Sequence, residues 1–164
     1  MTTDASTVST LQNQQRTLHA ALASLDSLVV AYSGGVDSAF LAWAAHQALG
    51  SKMLAVIADS PSLPRRELRQ AIQFAQQFAI PLQVVATGEM ERPEYTRNDS
   101  RRCFHCKDEL FDLLEALRQE LNFRHIAYGR NLDDDSDFRP GQAAAELHHV
   151  VAPLADAEIG RAHV

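Results

Sequence analysis

Short uninterrupted apolar runs alternate along this chain with longer segments whose apolar residues recur at helical spacing. The runs predict buried parallel strands, because both faces of such strands are covered by helices. Five strands are predicted, at residues 28–32, 53–58, 82–86, 125–128 and 150–152. The helical spacing predicts helices at about residues 11–25, 40–49, 64–78, 106–121 and 142–147. Strands alternating with helices predict right-handed crossovers, and therefore an α/β fold with a doubly wound parallel sheet.

The two ends of the chain differ from this alternating middle. Residues 1–10 are small and polar and are predicted to be a disordered leader. Residues 11–157 are predicted to form one domain. Residues 158–164 read like the translation of a sequencing-library adapter, so we expect an artefactual tail on a truncated gene model.

Composition narrows the classes of protein that the chain can belong to. Its 164 residues are 46% apolar and 22% charged, which suits one globular domain with a sizeable core. The net charge of −6 argues against a broad nucleic-acid surface, and no apolar stretch reaches the length of a membrane span. Two cysteines and no signal peptide favour a reducing compartment. We therefore expect a cytoplasmic protein that binds neither nucleic acid nor membrane.

The first predicted strand runs directly into the segment Ser33–Ser38 and then into a helix. This geometry gathers backbone NH groups and the positive end of a helix dipole at one point, which predicts a phosphate cradle. Gly34 and Gly35 allow unusual φ values and close approach of a ligand. The carboxylate of Asp37 fits among phosphates if it holds a magnesium ion. The alternative is a plain tight turn in which Ser or Asp caps the helix.

Polar residues also follow the second and fourth predicted strands. Asp59 and Ser60 come after the second strand, and Gly129–Asp134 follows the fourth. Ligands of doubly wound sheets bind beyond the carboxyl ends of the strands, so these segments are predicted to meet the glycine loop. Arg65 and Arg66 begin the third helix, where either a bound anion or a solvated arginine pair would explain them.

A second constellation lies at the start of the fourth predicted helix, where Cys103 and Cys106 form a CxxC pair. These thiols are interpreted as lining a site, as buried structural residues, or as part of a metal or disulfide site. Zinc would need two further ligands, and the loosely placed candidates are His105, His125, His148 and His149. The neighbouring cations predict an anion-binding surface, and they are Arg101, Arg102 and Lys107.

Four segments together resemble one family. The SGGxDS string within AYSGGVDS at 31–38 resembles the pyrophosphatase loop of the ATP-pyrophosphatase (PP-loop) superfamily. With ADSPSLPRRE at 58–67, RCFHCK at 102–107 and the NxDD and FRPG pieces of 129–141, the chain resembles the N-terminal domain of the LarE family. These are ATP-dependent sacrificial sulfur transferases of nickel-pincer nucleotide biosynthesis. The resemblance implies an adenine nucleotide alpha hydrolase-like (HUP) sheet with strand order 3-2-1-4-5.

The resemblance also implies a reaction and its cofactors, ATP and Mg²⁺. ATP would adenylate a carboxylate of a pyridinium dicarboxylate mononucleotide with release of pyrophosphate, and a protein cysteine would then displace AMP and give up its sulfur. The implied partner is this small-molecule nucleotide, and the full-length protein is expected to be a homo-oligomer. The ATP-binding residues that the resemblance implies are Ala31, Tyr32, Ser33, Gly34, Gly35, Asp37, Ser38, Ala58, Asp59, Ser60, Arg65, Gly129 and Asn131.

The remaining implied roles concern metal, substrate and catalysis. Asp37 and Asp134 are the metal candidates. The substrate candidates are Arg101, Arg102 and Arg139, and the catalytic candidates are Cys103, Cys106 and Lys107. The family's sulfur donor lies in a Pro-Cys-Leu-Ala-Ser segment that the printed sequence does not include.

Three alternatives stay open at this point. The chain could be a nucleotide-binding module without catalysis, or another PP-loop enzyme such as an amidotransferase-type synthetase or a tRNA thiolase. The third is a thiol or zinc module built on the CxxC pair.

Overall fold

The computed structural model describes residues 5–87, 102–133 and 140–160. Helices and strands alternate through these ranges as the apolar pattern predicts. The helices are α1 (Ala5–Ala23), α2 (Val36–Leu49), α3 (Arg65–Gln77), α4 (Arg102–Leu121), α5 (Pro140–Leu147) and α6 (Pro153–Asp156). The strands are β1 (Leu28–Ala31), β2 (Met53–Asp59), β3 (Leu82–Ala86) and β4 (His125–Tyr128), and a 3₁₀ turn, Gly50–Lys52, leads into β2.

The described strands form one parallel sheet in the order β3-β2-β1-β4. The prediction of a doubly wound parallel sheet is confirmed for four strands, but the predicted fifth strand is wrong as a strand. Val151 makes only a single parallel bridge to Ala127, on the predicted side of β4. The next residues explain this shortening, because Pro153 has no NH group for a ladder and begins α6.

Helices cover both faces of the sheet, and residues of β1 alternate between the two. Leu28, Val30 and Tyr32 face a core made with α1, α2 and α3. Val29 and Ala31 face a second core made with α4 and α5. Because β1 is buried on both faces, its carboxyl end is the natural place for a site at the centre of the molecule.

Two described segments lie near the ends of the chain. Helix α1 begins at Ala5, within residues 1–10 that the sequence predicts to be a disordered leader, and it is anchored by Leu18 and Leu22. Ile159 lies in the first core with 2% of its surface exposed. The artefactual origin of residues 158–164 stays a prediction. Among the described helices, none is long and apolar enough to cross a membrane.

Candidate functional site

The loop between β1 and α2 is held in shape by the hydroxyl groups of its two serines. The Ser33 backbone NH donates to Ser38 Oγ at 3.1 Å, and the two hydroxyl oxygens lie 2.9 Å apart. The NH of Gly35 donates to Ser33 Oγ at 3.3 Å, and Ser38 Oγ donates to the Gly35 carbonyl at 3.2 Å. These bonds cross the base of the loop, so the loop is a closed structure before any ligand enters.

Helix α2 begins at this loop without a side-chain cap. Its N-cap is Gly35, which makes no side-chain capping bond. Gly35 therefore lacks the Ser or Asp cap that the plain-turn alternative included, and the phosphate cradle stays a prediction. The first NH groups of a helix have no intrahelical partners and lie at the positive end of the dipole. The loop thus presents an uncapped helix N-terminus at the carboxyl end of a central strand, a geometry that suits phosphate.

Gly34 is required by the packing of this loop. Its φ is +83°, a left-handed conformation that favours glycine, and a Cβ atom there would lie 2.9 Å from Cβ of Ala71 on α3. Gly35 differs, because its φ is −71° and an added Cβ would meet only Ser33 Oγ at 3.4 Å. The prediction that both glycines need unusual φ values is confirmed for Gly34 and wrong for Gly35.

Gly129 brings the end of β4 against the start of α2. A Cβ atom at this position would lie 2.8 Å from the Ser38 backbone nitrogen and 3.1 Å from the Asp37 carbonyl carbon. Only a glycine fits such a close backbone approach. The structure thereby joins the first and fourth strand ends into one site, as the sequence predicts.

The carboxylate of Asp37 lies between the loop and the end of β4. Its Oδ2 accepts a hydrogen bond of 2.8 Å from Nδ2 of Asn131, which is fully buried. Its Oδ1 is also buried and has no hydrogen-bond partner among the described residues. A buried carboxylate oxygen without a partner is costly unless a cation or water binds it. Oxygen is the ligand that Mg²⁺ prefers, so Asp37 fits the expected magnesium ligand.

Asp59 and Arg65 form an ion pair beside the loop, after β2. Arg65 Nη2 donates to Asp59 Oδ1, to the Ser60 carbonyl at 3.2 Å and to the Leu63 carbonyl at 3.0 Å. The hydrogen bond from Arg65 lowers the pKa of Asp59, and it raises the pKa of Arg65. Arg65 thus ties its own loop together, while both explanations, a bound anion and a solvated arginine pair, stay predictions. Ser60 is buried, and its hydroxyl lies 3.0 Å from that of Ser62.

Tyr32 does not turn its side chain toward the loop. Its hydroxyl donates to the Ala71 carbonyl at 2.9 Å, and burial raises its pKa. Ala31 and Ala58 lie at the carboxyl ends of β1 and β2 with small side chains, where they can line a nucleotide only by their backbone and methyl groups. Ala71 is a small residue that lies under the glycine loop, and its only signal in the sequence is its place among the core residues of α3.

The second constellation is described only in part. Arg101, Asp134 and Arg139 lie outside the described residues. Arg102, Cys103, Cys106 and Lys107 lie on the first turns of α4, and only their backbone is described. The roles predicted for the two thiols, in lining a site, in the core, or in a metal or disulfide site, therefore stay predictions.

His148, one of the four histidines named as candidate zinc ligands, pairs with a carboxylate of α4. Nε2 of His148 lies 2.7 Å from Asp108 Oδ1, and its Nδ1 lies 3.8 Å from Asp112 Oδ1. Within the described ranges, His, Cys, Asp and Glu residues form no group of three or more that could hold a metal ion. The His148–Asp108 pair joins the end of α5 to α4.

Comparison with known proteins places this site in a family. A sequence model described as NAD synthase matches residues 9–113, which is more than half of the chain. The uncharacterised protein slr1717 of a Synechocystis strain is 40% identical over 154 residues, which is 94% of this chain and 58% of that protein. Pyridinium-3,5-bisthiocarboxylic acid mononucleotide synthase of Lactiplantibacillus plantarum is 26% identical over 138 residues, 84% of this chain and 50% of that enzyme.

A solved structure supports the fold. Glutamine-dependent NAD⁺ synthetase from Acinetobacter baumannii, in complex with adenosine diphosphate, superposes with a TM-score of 0.72 at 14% identity over 95% of this chain and 31% of that chain. The chain spans only half to three fifths of the length of the two curated relatives.

Proposed function

Because this chain belongs to the NAD synthase family of PP-loop ATP pyrophosphatases, we propose that it binds Mg-ATP at the β1–α2 loop and transfers AMP to a substrate carboxylate. The carboxylate would belong to a pyridinium dicarboxylate mononucleotide, and the reaction would be the activating half of a sulfur transfer. The observation that carries the proposal is the N-terminus of α2, which has no side-chain cap, beside Oδ1 of Asp37, which is buried and has no hydrogen-bond partner in the described part of the chain.

The chemistry requires that negative charge be met where it develops. When a carboxylate oxygen attacks the α-phosphorus of ATP, the bond between this phosphorus and the oxygen that bridges it to the β-phosphorus breaks. Pyrophosphate then leaves with the added negative charge. NH groups at the start of α2 would stabilise this charge. A magnesium ion held by Asp37 would neutralise phosphate oxygens and keep the triphosphate in one geometry.

Two observations favour the sulfur-transfer substrate. The named synthase of Lactiplantibacillus plantarum aligns with 84% of the chain. The ADSPSLPRRE segment forms an ordered turn beside the loop, because the Arg65 guanidinium donates hydrogen bonds to Asp59, Ser60 and Leu63. This turn suits a nucleotide-binding wall that is more specific than the glycine loop alone.

A second candidate is an amide-forming synthetase, in which ammonia instead of sulfur attacks the adenylate. The match to the NAD synthase family favours it. Both candidates share the ATP site and differ only in the acceptor and its nucleophile. A substrate panel therefore separates them.

The experiment measures pyrophosphate release by the purified chain with ATP and Mg²⁺ in the presence of each candidate carboxylate. We expect release with the pyridinium dicarboxylate mononucleotide, and little release with the substrates of NAD synthetase or GMP synthase plus ammonia. Release with one of the latter pairs would replace the proposal by the second candidate. Release with none, in a chain that still binds ATP, would favour a binding module.

Intact-protein mass spectrometry after the same incubation tests the role of the cysteines. Since neither Cys103 nor Cys106 stands in a Pro-Cys-Leu-Ala-Ser segment like that of the family's sulfur donor, we expect an unchanged protein mass. A loss that corresponds to hydrogen sulfide and maps to either cysteine would show that the donor is in this domain.

A further inference from the structure

Asn131 is a buried amide that reaches across the site to the proposed metal ligand. It follows β4, has 0% of its surface exposed, and its Nδ2 donates to Asp37 Oδ2 at 2.8 Å. At its other end, Oδ1 accepts a hydrogen bond of 2.9 Å from the backbone NH of Asp133. The amide is thus bonded at both ends, to two different elements.

These two bonds fix which way the amide faces. A backbone NH can only donate, so the Asn131 atom near Asp133 must be the oxygen, and the NH₂ group must face the carboxylate. A flip of the amide would place oxygen against oxygen at Asp37 and NH₂ against NH at Asp133. Full burial removes the water that could repair either mismatch.

The consequence lies in the other oxygen of Asp37. With Oδ2 bound to Asn131, the carboxylate keeps one rotamer in which Oδ1 is buried without a partner among the described residues. We propose that Asn131 is a positioning residue which holds this rotamer and so sets the affinity of the site for magnesium. The inference rests on the proposed function, because Asp37 must be a metal ligand for it to hold.

The backbone explains why the contact is rigid. Gly129 lets the end of β4 approach the Ser38 nitrogen closely, and Asn131 follows two residues later. β1 and β4 are hydrogen-bonded neighbours in register, with Ala31 opposite Tyr128. A ligand held from a packed strand end is pre-organised, and removal of such an outer partner typically lowers metal affinity roughly 10–100-fold.

The test measures binding of Mn²⁺, as a paramagnetic substitute for Mg²⁺, by electron paramagnetic resonance in the presence of a non-hydrolysable ATP analogue. Asn131→Ala should weaken Mn²⁺ binding about 10–100-fold. Affinity for the analogue without metal should change less than threefold. Ser27→Ala serves as the control for lost stability, because it removes the hydrogen bond that Ser27 Oγ accepts from the Arg124 NH at the far end of β1 without touching Asp37. Equal Mn²⁺ affinities in the two variants would overturn the inference.

The swapped double variant Asp37→Asn with Asn131→Asp sharpens the test. It keeps an amide facing a carboxylate but moves the charge to the other element. We expect it to recover thermal stability lost by Asn131→Asp while Mn²⁺ binding stays weak. Recovery of wild-type Mn²⁺ affinity would show that no fixed position of the carboxylate is needed, and would also overturn the inference.

A nuclear magnetic resonance measurement separates this inference from the proposed function. The side-chain amide signal of Asn131, identified by its loss in Asn131→Asp, should shift upfield in Asp37→Asn because a charge-assisted bond is lost. No shift would overturn the positioning contact alone. If the signal shifts in Asp37→Asn but the wild-type protein binds no Mn²⁺ in the presence of the analogue, the proposed function is overturned, and the positioning role with it.

Discussion

Gly34→Ala should damage the phosphate loop for two separable reasons. A left-handed φ costs a residue with a Cβ atom roughly 1–2 kcal/mol. The φ of Gly34 is +83°, and the added Cβ would lie 2.9 Å from the Ala71 Cβ, closer than such atoms pack. Overpacking of this kind costs roughly 1–3 kcal/mol. The two costs add to about 2–5 kcal/mol, and the lower end of this range corresponds to a loss of about 30-fold in the fraction of molecules whose loop is shaped to hold phosphate.

The assay combines calorimetric titration of Mg-ATP with urea unfolding. We expect Gly34→Ala to weaken nucleotide binding at least about 30-fold, or to lower the free energy of unfolding by a comparable amount. Gly35→Ala is the control in the same loop, because φ is −71° there and the new Cβ makes an ordinary contact. Its free energy of unfolding should stay within about 0.5 kcal/mol of wild type.

A double-mutant cycle with Ala71→Gly separates the clash from the backbone strain. Ala71→Gly alone should cost about 1 kcal/mol, as for glycine within a helix. In the Gly34→Ala background it also removes the close contact, so the two changes together should cost about 1–3 kcal/mol less than their sum. Additive effects would refute the close contact between the loop and α3. Wild-type ATP affinity together with wild-type stability in Gly34→Ala would refute the cradle itself.

Three further perturbations test the site and its surroundings. Asp37→Asn should abolish magnesium-dependent pyrophosphate release while the protein keeps its fold, whereas Asp26→Asn, at the other end of β1, should leave release unchanged. Tyr32→Phe should lower the free energy of unfolding by about 1 kcal/mol, through loss of its buried hydrogen bond, while ATP affinity is kept; a weakened affinity would place the hydroxyl in the site. The hydrogen bond from Arg118 lowers the pKa of Glu115 to about 2, so this pair stabilises the fold above pH 4.5 and the benefit is lost as the pH falls towards 2. Since Glu115 is partly exposed, Glu115→Gln should cost about 1 kcal/mol at pH 7 in urea unfolding, with a smaller difference at pH 3, and an equal difference at both would contradict the assignment.

The apolar pattern predicted the strands well where they are buried, as in β1, β2 and β4, and it also found β3, an edge strand whose residues are half-buried or exposed. The alternation along β1 also predicts that the Tyr32 side chain shares the face of Leu28 and Val30, whereas the resemblance implied that Tyr32 binds ATP. The shortening of the fifth strand follows from Pro153, so the sequence alone is enough to predict it.

Other features were beyond any local pattern. The bond between Asn131 and Asp37 depends on the register of β1 against β4, which no single segment encodes. The close approach of Ala71 to Gly34 depends likewise on how α3 crosses the loop. A sequence pattern specifies which side chains meet a core, but distances of a few tenths of an ångström across the site are set by the packing of all the elements together.

The hydrogen bond between Asn131 and Asp37 spans 94 positions of the chain and exists only when β4 has docked beside β1. Contacts between distant segments form late in folding, because the closure of a long loop must precede them. During synthesis, the glycine loop therefore emerges from the ribosome long before its carboxylate is oriented. A nascent chain that ends before Asn131 should not acquire the magnesium-binding geometry, so capture of nucleotide would mark the moment at which the sheet is complete.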